Sequence, residues 1–377
     1  MESRSEMIQQ QKRNSAIELC RILSMLMIIG HHFSDHGGFE YDNLMISIPR
    51  LWWHVIEMGG GFGVDVFIII SGYFLINTTD LKINVKKTSK LWGQVFFYSI
   101  CFFFLGVILG IEYFSIVQLI KSFFPITTRQ WWFATTYFVL FLIHPFLNKL
   151  LLNLEKRQYQ QLLGLLFLIW CIIPTFTSFP LSSNEFCQFL LIYSIGGYIK
   201  LYGNRTRFKS RNYLHFWLIT TIITYASSVA FMILGEKIPA LQNYSTYFYG
   251  RLSLPTLLRA ICFFMIFERM TIPQNKYINH ISATTFGVYL IHEHYIIRPL
   301  LWKKVFINAQ FQDSLMLIPY SVIVSIIVYI ACILIDLIRI KTVEVLFMKV
   351  VTKYANKILV PCKQICRYVA NCLFGKD

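Results

Sequence analysis

Four polar side chains interrupt an apolar segment near the start of the chain. Glu18, Arg21, His31 and His32 lie inside or beside the run 16–36. That run is long enough to cross a bilayer, because about 20 helical residues span one. A charged side chain at the centre of such a helix costs about 2.5–3.5 kcal/mol on insertion scales. Charged side chains at this depth therefore indicate a functional role, and a histidine among them suits proton transfer.

Helical geometry separates the two histidines. At about 100° per residue, Arg21 and His32 lie about 20° apart around the axis and roughly 16 Å apart along it. Glu18 falls within about 60° of that stripe, whereas His31 is rotated by about 80–100° from it. The pattern favours His32 as the catalytic histidine, in line with Glu18 and Arg21. A structural alternative is an interfacial Glu18–Arg21 ion pair, with His32 at the outer end of the helix.

The next apolar segment, 60–78, begins with glycines and an acid. Its sequence GGGFGVD ends in Asp65, and glycines let helices approach closely. We expect Asp65 to lie at the depth of His32 and to bind one imidazole nitrogen, which leaves the other nitrogen free as a base. The alternative is that Asp65 interacts with the N-terminal end of its own helix. The spacing His31-x3-Asp35 offers a further, weaker His–Asp candidate.

The composition is that of a polytopic membrane protein. Of 377 residues, 56% are hydrophobic and 14% are charged, against about 25% charged in soluble domains. We predict an all-α bundle that follows an N-terminal segment (1–15), occupies 16–338 and precedes a basic amphipathic tail (339–377). Its ten predicted membrane spans are 16–36, 60–78, 90–110, 131–150, 161–178, 186–201, 214–234, 253–271, 282–302 and 315–338.

Lysine and arginine set the orientation of this bundle. Twenty-five of the 35 basic residues fall on the side of the N-terminus and seven on the other side. The positive-inside rule then places both termini in the cytoplasm. Arg21, Arg259 and Arg298 lie within spans, and Arg259 is the deeper of the last two. The positive-inside distribution of basic residues therefore accounts for the net charge of +16, and we expect no nucleic-acid partner.

Other kinds of chemistry have no visible motif. The sequence contains no nucleotide-binding loop, no metal-ligand set and no hydrolase elbow. Its nine cysteines lie mostly in apolar segments, where cysteine behaves as a small hydrophobe. We expect no metal site and no permanently bound cofactor.

These features resemble the acyltransferase 3 family, integral-membrane acyltransferases that modify bacterial surface glycans. The family's first span has an acidic residue and an arginine, then ten residues, then a histidine, as in Glu18, Arg21 and His32. Its second span has a glycine-rich pattern of GVD, then F, then SG, which matches Gly63-Val64-Asp65, Phe67 and Ser71-Gly72. Weaker matches, in the fourth and ninth spans, are Trp131, Trp132, Tyr137, Pro145 and the YLIH sequence from Tyr289 to His292. The resemblance covers roughly residues 13–338.

The resemblance implies a reaction. An acyl group, expected to be acetyl, would move from cytoplasmic acetyl-CoA or another acyl-CoA to a hydroxyl of an extracytoplasmic glycan or lipid-linked saccharide. The site would face membrane lipids in the bacterial cytoplasmic membrane. Arg21 would hold the phosphate or pantetheine end of the donor, and His32 would take a proton or carry the acyl group. Candidate substrate-binding residues are Trp132, Tyr137, Tyr289 and His292.

Alternatives remain open at this point. His292 and Tyr289 would also suit a hydrogen-bonded contact between helices. A transporter or flippase would use the same charges as an ion or substrate path, although no inverted repeat is apparent. A purely structural membrane subunit would leave the charged stripe without a purpose.

Overall fold

The computed structural model describes residues 14–41, 46–82, 84–177, 184–203 and 208–354. Within these ranges the regular secondary structure is helical and no strand is present, so the predicted all-α class is confirmed. The predicted N-terminal segment (1–15) and tail (339–377) lie largely outside the described residues, and their roles stay predictions.

The described ranges contain fifteen α-helices up to residue 339 and a further α-helical stretch at 345–354. The fifteen are α1 (Ser15–Asp35), α2 (Ile48–Glu57), α3 (Gly59–Leu75), α4 (Val85–Ile108), α5 (Ile116–Phe123), α6 (Trp132–Leu152), α7 (Lys156–Phe167), α8 (Ile173–Thr177), α9 (Glu185–Tyr202), α10 (Ser210–Lys237), α11 (Leu254–Glu268), α12 (Lys276–Ala283), α13 (Thr285–His292), α14 (Ile297–Pro299) and α15 (Leu317–Arg339). Short π-helical turns follow three of them, at Leu168–Ile172, Leu300–Val305 and Ile340–Glu344.

Eight helical stretches of the described chain are long and apolar enough to cross a membrane. The protein is therefore a multi-pass membrane protein. The other two predicted spans have a different form. Segment 186–201 is the helix α9, and segment 282–302 is divided among α12, α13, α14 and a π-helical turn. The count of ten spans and the cytoplasmic placement of both termini stay predictions.

The chain divides into two compact units. One unit joins Met1–Thr79 to Ile143–Ile333, and the other joins Asp80–Leu142 to Leu334–Asp377. The first contains α1 and most of the polar residues that the sequence singled out. The second contains Trp132 and Tyr137.

Helix α1 lies at the centre of the first unit, where it packs against α2, α3, α11, α12 and α13. Asn14 caps its start by accepting hydrogen bonds from the backbone N–H groups of Ala16 and Ile17, as asparagine commonly does before a helix. The apolar residues of α1 pack into the surrounding core. Its buried polar residues can therefore contact only the side chains that the neighbouring helices present to them. Their neighbours are fixed by the helices around them.

Helix α3 is held between α1 and α9 by glycines on two different faces. A side chain at Gly63 would collide with Ser24 and Ile28 of α1, and one at Gly72 would collide with the backbone of Tyr193 on α9. Such contacts need residues without a Cβ. They fix which face of α3 meets α1.

The second unit contains an ion cluster of its own. Asp336 accepts a hydrogen bond from Tyr98 at 2.7 Å and one from Arg339 at 2.6 Å. Arg339 also binds Glu344 at 2.8 Å, and Glu344 binds Lys90 at 2.6 Å. The cluster links α4 to the end of α15 and to the π-helical turn after it, and it satisfies charges that would otherwise be buried alone.

Candidate active site

The predicted polar stripe of α1 divides into two groups. Glu18 and Arg21 lie near the start of the helix, and His32 lies near its end, eleven residues after Arg21. That spacing corresponds to roughly 16 Å along the axis. Each group contacts a different segment of the chain between residues 276 and 298.

Glu18 and Arg21 form an ion pair. Arg21 Nη1 lies 2.7 Å from Glu18 Oε2, and Ser282 of α12 donates a hydrogen bond to the same carboxylate oxygen. The ion pair that we considered as a structural alternative is therefore present. Only Nη1 of Arg21 takes part in these contacts within the described chain. The side chain is 24% exposed, and the three N–H donors on Nε and Nη2 remain for a ligand.

His32 and His292 contact each other in the interior. His32 Nδ1 lies 2.9 Å from His292 Nε2, and His292 Nδ1 lies 2.6 Å from the carbonyl oxygen of Val288. A carbonyl only accepts, so His292 carries its proton on Nδ1 and, when neutral, accepts at Nε2. His32 must then donate from Nδ1. Neutral His32 keeps its lone pair on Nε2, which no described residue binds.

The carboxylate beside His32 is Glu293, which the sequence analysis did not single out. Glu293 Oε2 lies 3.4 Å from His32 Nδ1 and 3.2 Å from His36 Nε2. Its other oxygen binds Arg298 Nη1 at 2.9 Å. This carboxylate would stabilise positive charge on His32 by Coulomb attraction. A carboxylate directly after His292 in an apolar run was the signal that could have identified it.

The expected pair between His32 and Asp65 does not form. Asp65 is completely buried, and neither of its carboxylate oxygens has a hydrogen-bond partner among the described residues. The reason is helical phase. Gly63 faces α1, and Asp65 follows two residues later, about 200° around α3. Its side chain therefore leaves the helix away from α1.

His31 occupies a different environment from His32. Its Nδ1 lies 3.0 Å from the carbonyl oxygen of Glu57 and 3.2 Å from Glu57 Oε1. The two histidines thus contact different carboxylates, as their rotation around α1 leads one to expect; the choice of His32 as the catalytic histidine stays a prediction. Asp35 contacts His36 at 3.1 Å, so the His31-x3-Asp35 spacing does not describe an observed pair.

The predicted substrate-binding residues are distributed over both units. His292 is completely buried against His32. The ring of Tyr289 stands at right angles to the His292 ring, with the two ring centres 6.3 Å apart. Trp132 and Tyr137 lie on α6 in the other unit, where Tyr137 stacks on Phe133 at 5.8 Å. The roles of all four in substrate binding stay predictions.

Three side chains of this site have the spacing of metal ligands. One atom each from His32, His36 and Glu293 lies within 4.8 Å of the other two. Histidine nitrogens and a carboxylate oxygen suit zinc and similar cations. Within the described chain Glu293 Oε1 binds Arg298, whereas Glu293 Oε2 and His36 Nε2 are buried and have no hydrogen-bond partner. The expectation of no metal site stays a prediction.

Comparison with known proteins gives one match. The model of the acyltransferase 3 family, described as an acyltransferase domain, matches residues 14–337. No curated protein matches the chain, and no solved structure does. The matched range contains the Glu18–Arg21 ion pair of α1. It also contains the group of His32, His36, His292 and Glu293, which we call the histidine cluster.

Proposed function

Since the chain belongs to the acyltransferase 3 family of membrane acyltransferases, we propose that it transfers an acyl group, specifically acetyl, from cytoplasmic acetyl-CoA to a hydroxyl group outside the cytoplasm. The observation that carries the proposal is the hydrogen-bonding state of His32. Its Nδ1 is held by His292 with Glu293 beside it, and its Nε2 remains available. A histidine arranged in this way is suited to act as a general base.

The proposed reaction uses His32 as a proton shuttle. His32 Nε2 accepts the proton of the acceptor hydroxyl while the hydroxyl oxygen attacks the thioester carbonyl of the donor. The carbon–sulfur bond then breaks, and the CoA thiolate takes the proton back from His32. Glu293 stabilises the imidazolium between these steps, as the carboxylate of a catalytic triad stabilises its histidine. The protein ends the cycle in its initial protonation state.

Arg21 serves the donor in this proposal. It lies near the start of α1, on the predicted cytoplasmic side, while His32 lies roughly 16 Å along the helix. Acyl-CoA is a polyanion at one end and a thin thioester-bearing arm at the other. The guanidinium would bind the phosphate or pantetheine end with the N–H groups that Glu18 does not occupy. Helix α1 would thus connect a cytoplasmic donor to an extracytoplasmic acceptor.

The proposed acceptor is a glycan or a lipid-linked saccharide at the bacterial cytoplasmic membrane. Saccharides offer the hydroxyl groups that the proposed chemistry requires, and Tyr289 lies beside His292 where an acceptor would approach. Trp132 and Tyr137 are proposed acceptor contacts on the strength of the family pattern. The proposal needs no permanently bound cofactor.

Donor binding tests the proposal. A titration of the purified protein with acetyl-CoA should raise its thermal midpoint, because a ligand that binds only the folded state stabilises that state. Arg21→Ala should weaken the response about tenfold or more in ligand concentration. His32→Ala should bind acetyl-CoA nearly normally and transfer nothing, since it removes the base and leaves the donor contacts.

Arg211→Ala is the matched control, because Arg211 is an exposed cation on the same predicted side of the membrane. It should bind acetyl-CoA as the unmodified protein does. Absence of any response to acetyl-CoA up to millimolar concentrations, in folded protein, would contradict the proposal. It would favour the transporter interpretation, in which Glu18, Arg21 and His32 form an ion path.

A further inference from the structure

A pocket of about 320 Å³ lies in the first unit, away from the histidine cluster. Helices α1, α2, α10, α11 and α15 form its walls, and α1 contributes Leu26, Met27 and Gly30. Gly30 precedes His32 by two residues, which places it about 200° away around the helix. The pocket and the candidate active site therefore lie on opposite sides of α1. The volume is at the lower end of the range for small-ligand sites.

A buried arginine points into this pocket. Arg259 of α11 is only 3% exposed, and its Nε donates a hydrogen bond to Thr221 at 3.3 Å. Its guanidinium carbon lies 5.2 Å from the centre of the Phe62 ring. Nη1, however, is buried and has no hydrogen-bond partner in the described chain. A guanidinium is costly to bury in a membrane protein unless an acceptor or a negative charge meets it.

A second donor of the same pocket is also unsatisfied. The indole Nε1 of Trp217, another lining residue, is buried and has no hydrogen-bond partner among the described residues. By contrast, Trp52 donates its indole N–H to Ser321 at 2.9 Å. Two unsatisfied donors of one pocket call for a ligand with hydrogen-bond acceptors.

The charge of the lining restricts that ligand. Of the described residues that line the pocket, Arg259 alone is charged, and none is an acid. The serine hydroxyls of α15 are occupied, since Ser321 donates to Ile318 and Ser325 donates to Ser321. An anionic group would neutralise Arg259. The ammonium group of a zwitterion would find no carboxylate.

The rim of the pocket is apolar and exposed, as the lipid-facing surface of a membrane-spanning bundle would be. Val55 of α2 and Val322 and Ile326 of α15 line the pocket, and they are 37%, 46% and 42% exposed. Exposed apolar side chains on a membrane-spanning bundle contact lipid chains. A ligand therefore reaches the pocket from the bilayer, and its apolar part finds apolar walls.

The position of Arg259 along α11 is one that the phosphate of a lipid head group could reach. Arg259 is the sixth residue of α11, roughly 7.5 Å from the start of the helix. Side chains lean toward the N-terminus of their helix, so the guanidinium extends back toward that end. A phosphate at the membrane surface and its attached chain would thus meet Arg259 and the apolar wall together.

We propose that this pocket binds an anionic membrane lipid, whose phosphate oxygens accept hydrogen bonds from Arg259 and Trp217 and whose acyl chain lies between α1, α2 and α15. The proposal is independent of the acyl-transfer chemistry at His32. It assigns a lipid-binding site to the face of α1 opposite the candidate active site.

Lipid titrations of the purified, delipidated protein in detergent test the proposal. Phosphatidylglycerol should raise the thermal midpoint at concentrations at least tenfold lower than phosphatidylcholine with identical acyl chains. Arg259→Leu removes the charge and should abolish this preference, and Trp217→Phe should weaken it. Inorganic phosphate should give no stabilisation. An equal response to both lipids, an unchanged preference in Arg259→Leu, or a response to phosphate alone equal to that of the lipid would overturn the proposal.

A second variant tests the pocket without touching the arginine. A side chain at Gly30 would meet no atom within 4 Å, so Gly30→Leu should fill the pocket, and in a helix leucine is favoured over glycine. Gly164→Leu is the matched control, since Gly164 also lies in a helix with open space around its Cα. Gly30→Leu should lose at least tenfold in lipid affinity, measured also as loss of co-purified lipid by native mass spectrometry. Equal lipid retention in the two variants would place the lipid elsewhere and refute the site.

Discussion

Replacing Glu293 with glutamine tests the environment of His32 most selectively. The substitution keeps the shape of the side chain and removes one negative charge, 3.4 Å from His32 Nδ1. Two unit charges at that distance attract by about 5 kcal/mol at an effective dielectric constant of about 20. Arg298, 2.9 Å from the other carboxylate oxygen, opposes part of this effect.

About half of the attraction, roughly 2.5 kcal/mol, therefore stabilises a protonated His32 in the transition state. Each 1.36 kcal/mol changes a rate about tenfold, so kcat should fall roughly 50- to 100-fold in Glu293→Gln. The KM for the acyl donor should change little, because the carboxylate acts on the base and not on the donor. Glu293→Asp, which keeps the charge, should recover part of the loss.

Glu57→Gln provides the matched control. Glu57 has the same relation to His31, at 3.2 Å, that Glu293 has to His32. We expect its kcat to stay within about threefold of the unmodified protein. The assay is acyl transfer by purified protein, with thermal midpoints measured to show that each variant is folded. Equal losses in Glu57→Gln and Glu293→Gln, or more than half of kcat retained in Glu293→Gln, would refute the assignment of His32 and Glu293.

Three further predictions concern the base, metals and topology. His32→Ala should reduce transfer at least about 100-fold, since a general base contributes about 10²–10⁴. His31→Ala should retain a substantial fraction at equal membrane expression, and equal loss would remove the distinction between them. Chelators of divalent cations should change the rate of transfer by no more than about twofold, because the proposed proton transfer uses protein groups alone. A loss of transfer that added Zn²⁺ reverses would instead place a metal on His32, His36 and Glu293. Single cysteines at Arg211 and Asn243, in a background without native cysteines, should react from opposite sides of the membrane, and labelling from one side would contradict the predicted topology.

Helix periodicity was sufficient to predict that the two histidines point in different directions, but not which groups each of them contacts. His31 and His32 differ by about 100° around α1, and the structure gives them separate carboxylates. The same reasoning could have excluded the Asp65 pair. Gly63 and Asp65 are two residues apart, so a helix that presents Gly63 to α1 directs Asp65 elsewhere.

The partner of His32 depends on a helix end, which periodicity does not reveal. In a continuous helix, adjacent residues such as His292 and Glu293 would lie about 100° apart. Helix α13 ends at His292, and Glu293 follows as its C-cap with a φ of −100° and a ψ of 3°. Both side chains contact His32. The apolar run 282–302 gave no sign of this break, because hydropathy reports composition and not continuity.

Label transfer in reconstituted vesicles tests the central claim most directly. The purified protein is placed in sealed vesicles, with acetyl-CoA that carries a labelled acetyl group on the side of the N-terminus and a surface glycan on the other side. The account predicts that label appears on glycan hydroxyls with the unmodified protein and not with His32→Ala. Label on the glycan in both cases, or in neither while acetyl-CoA binds normally, would contradict it.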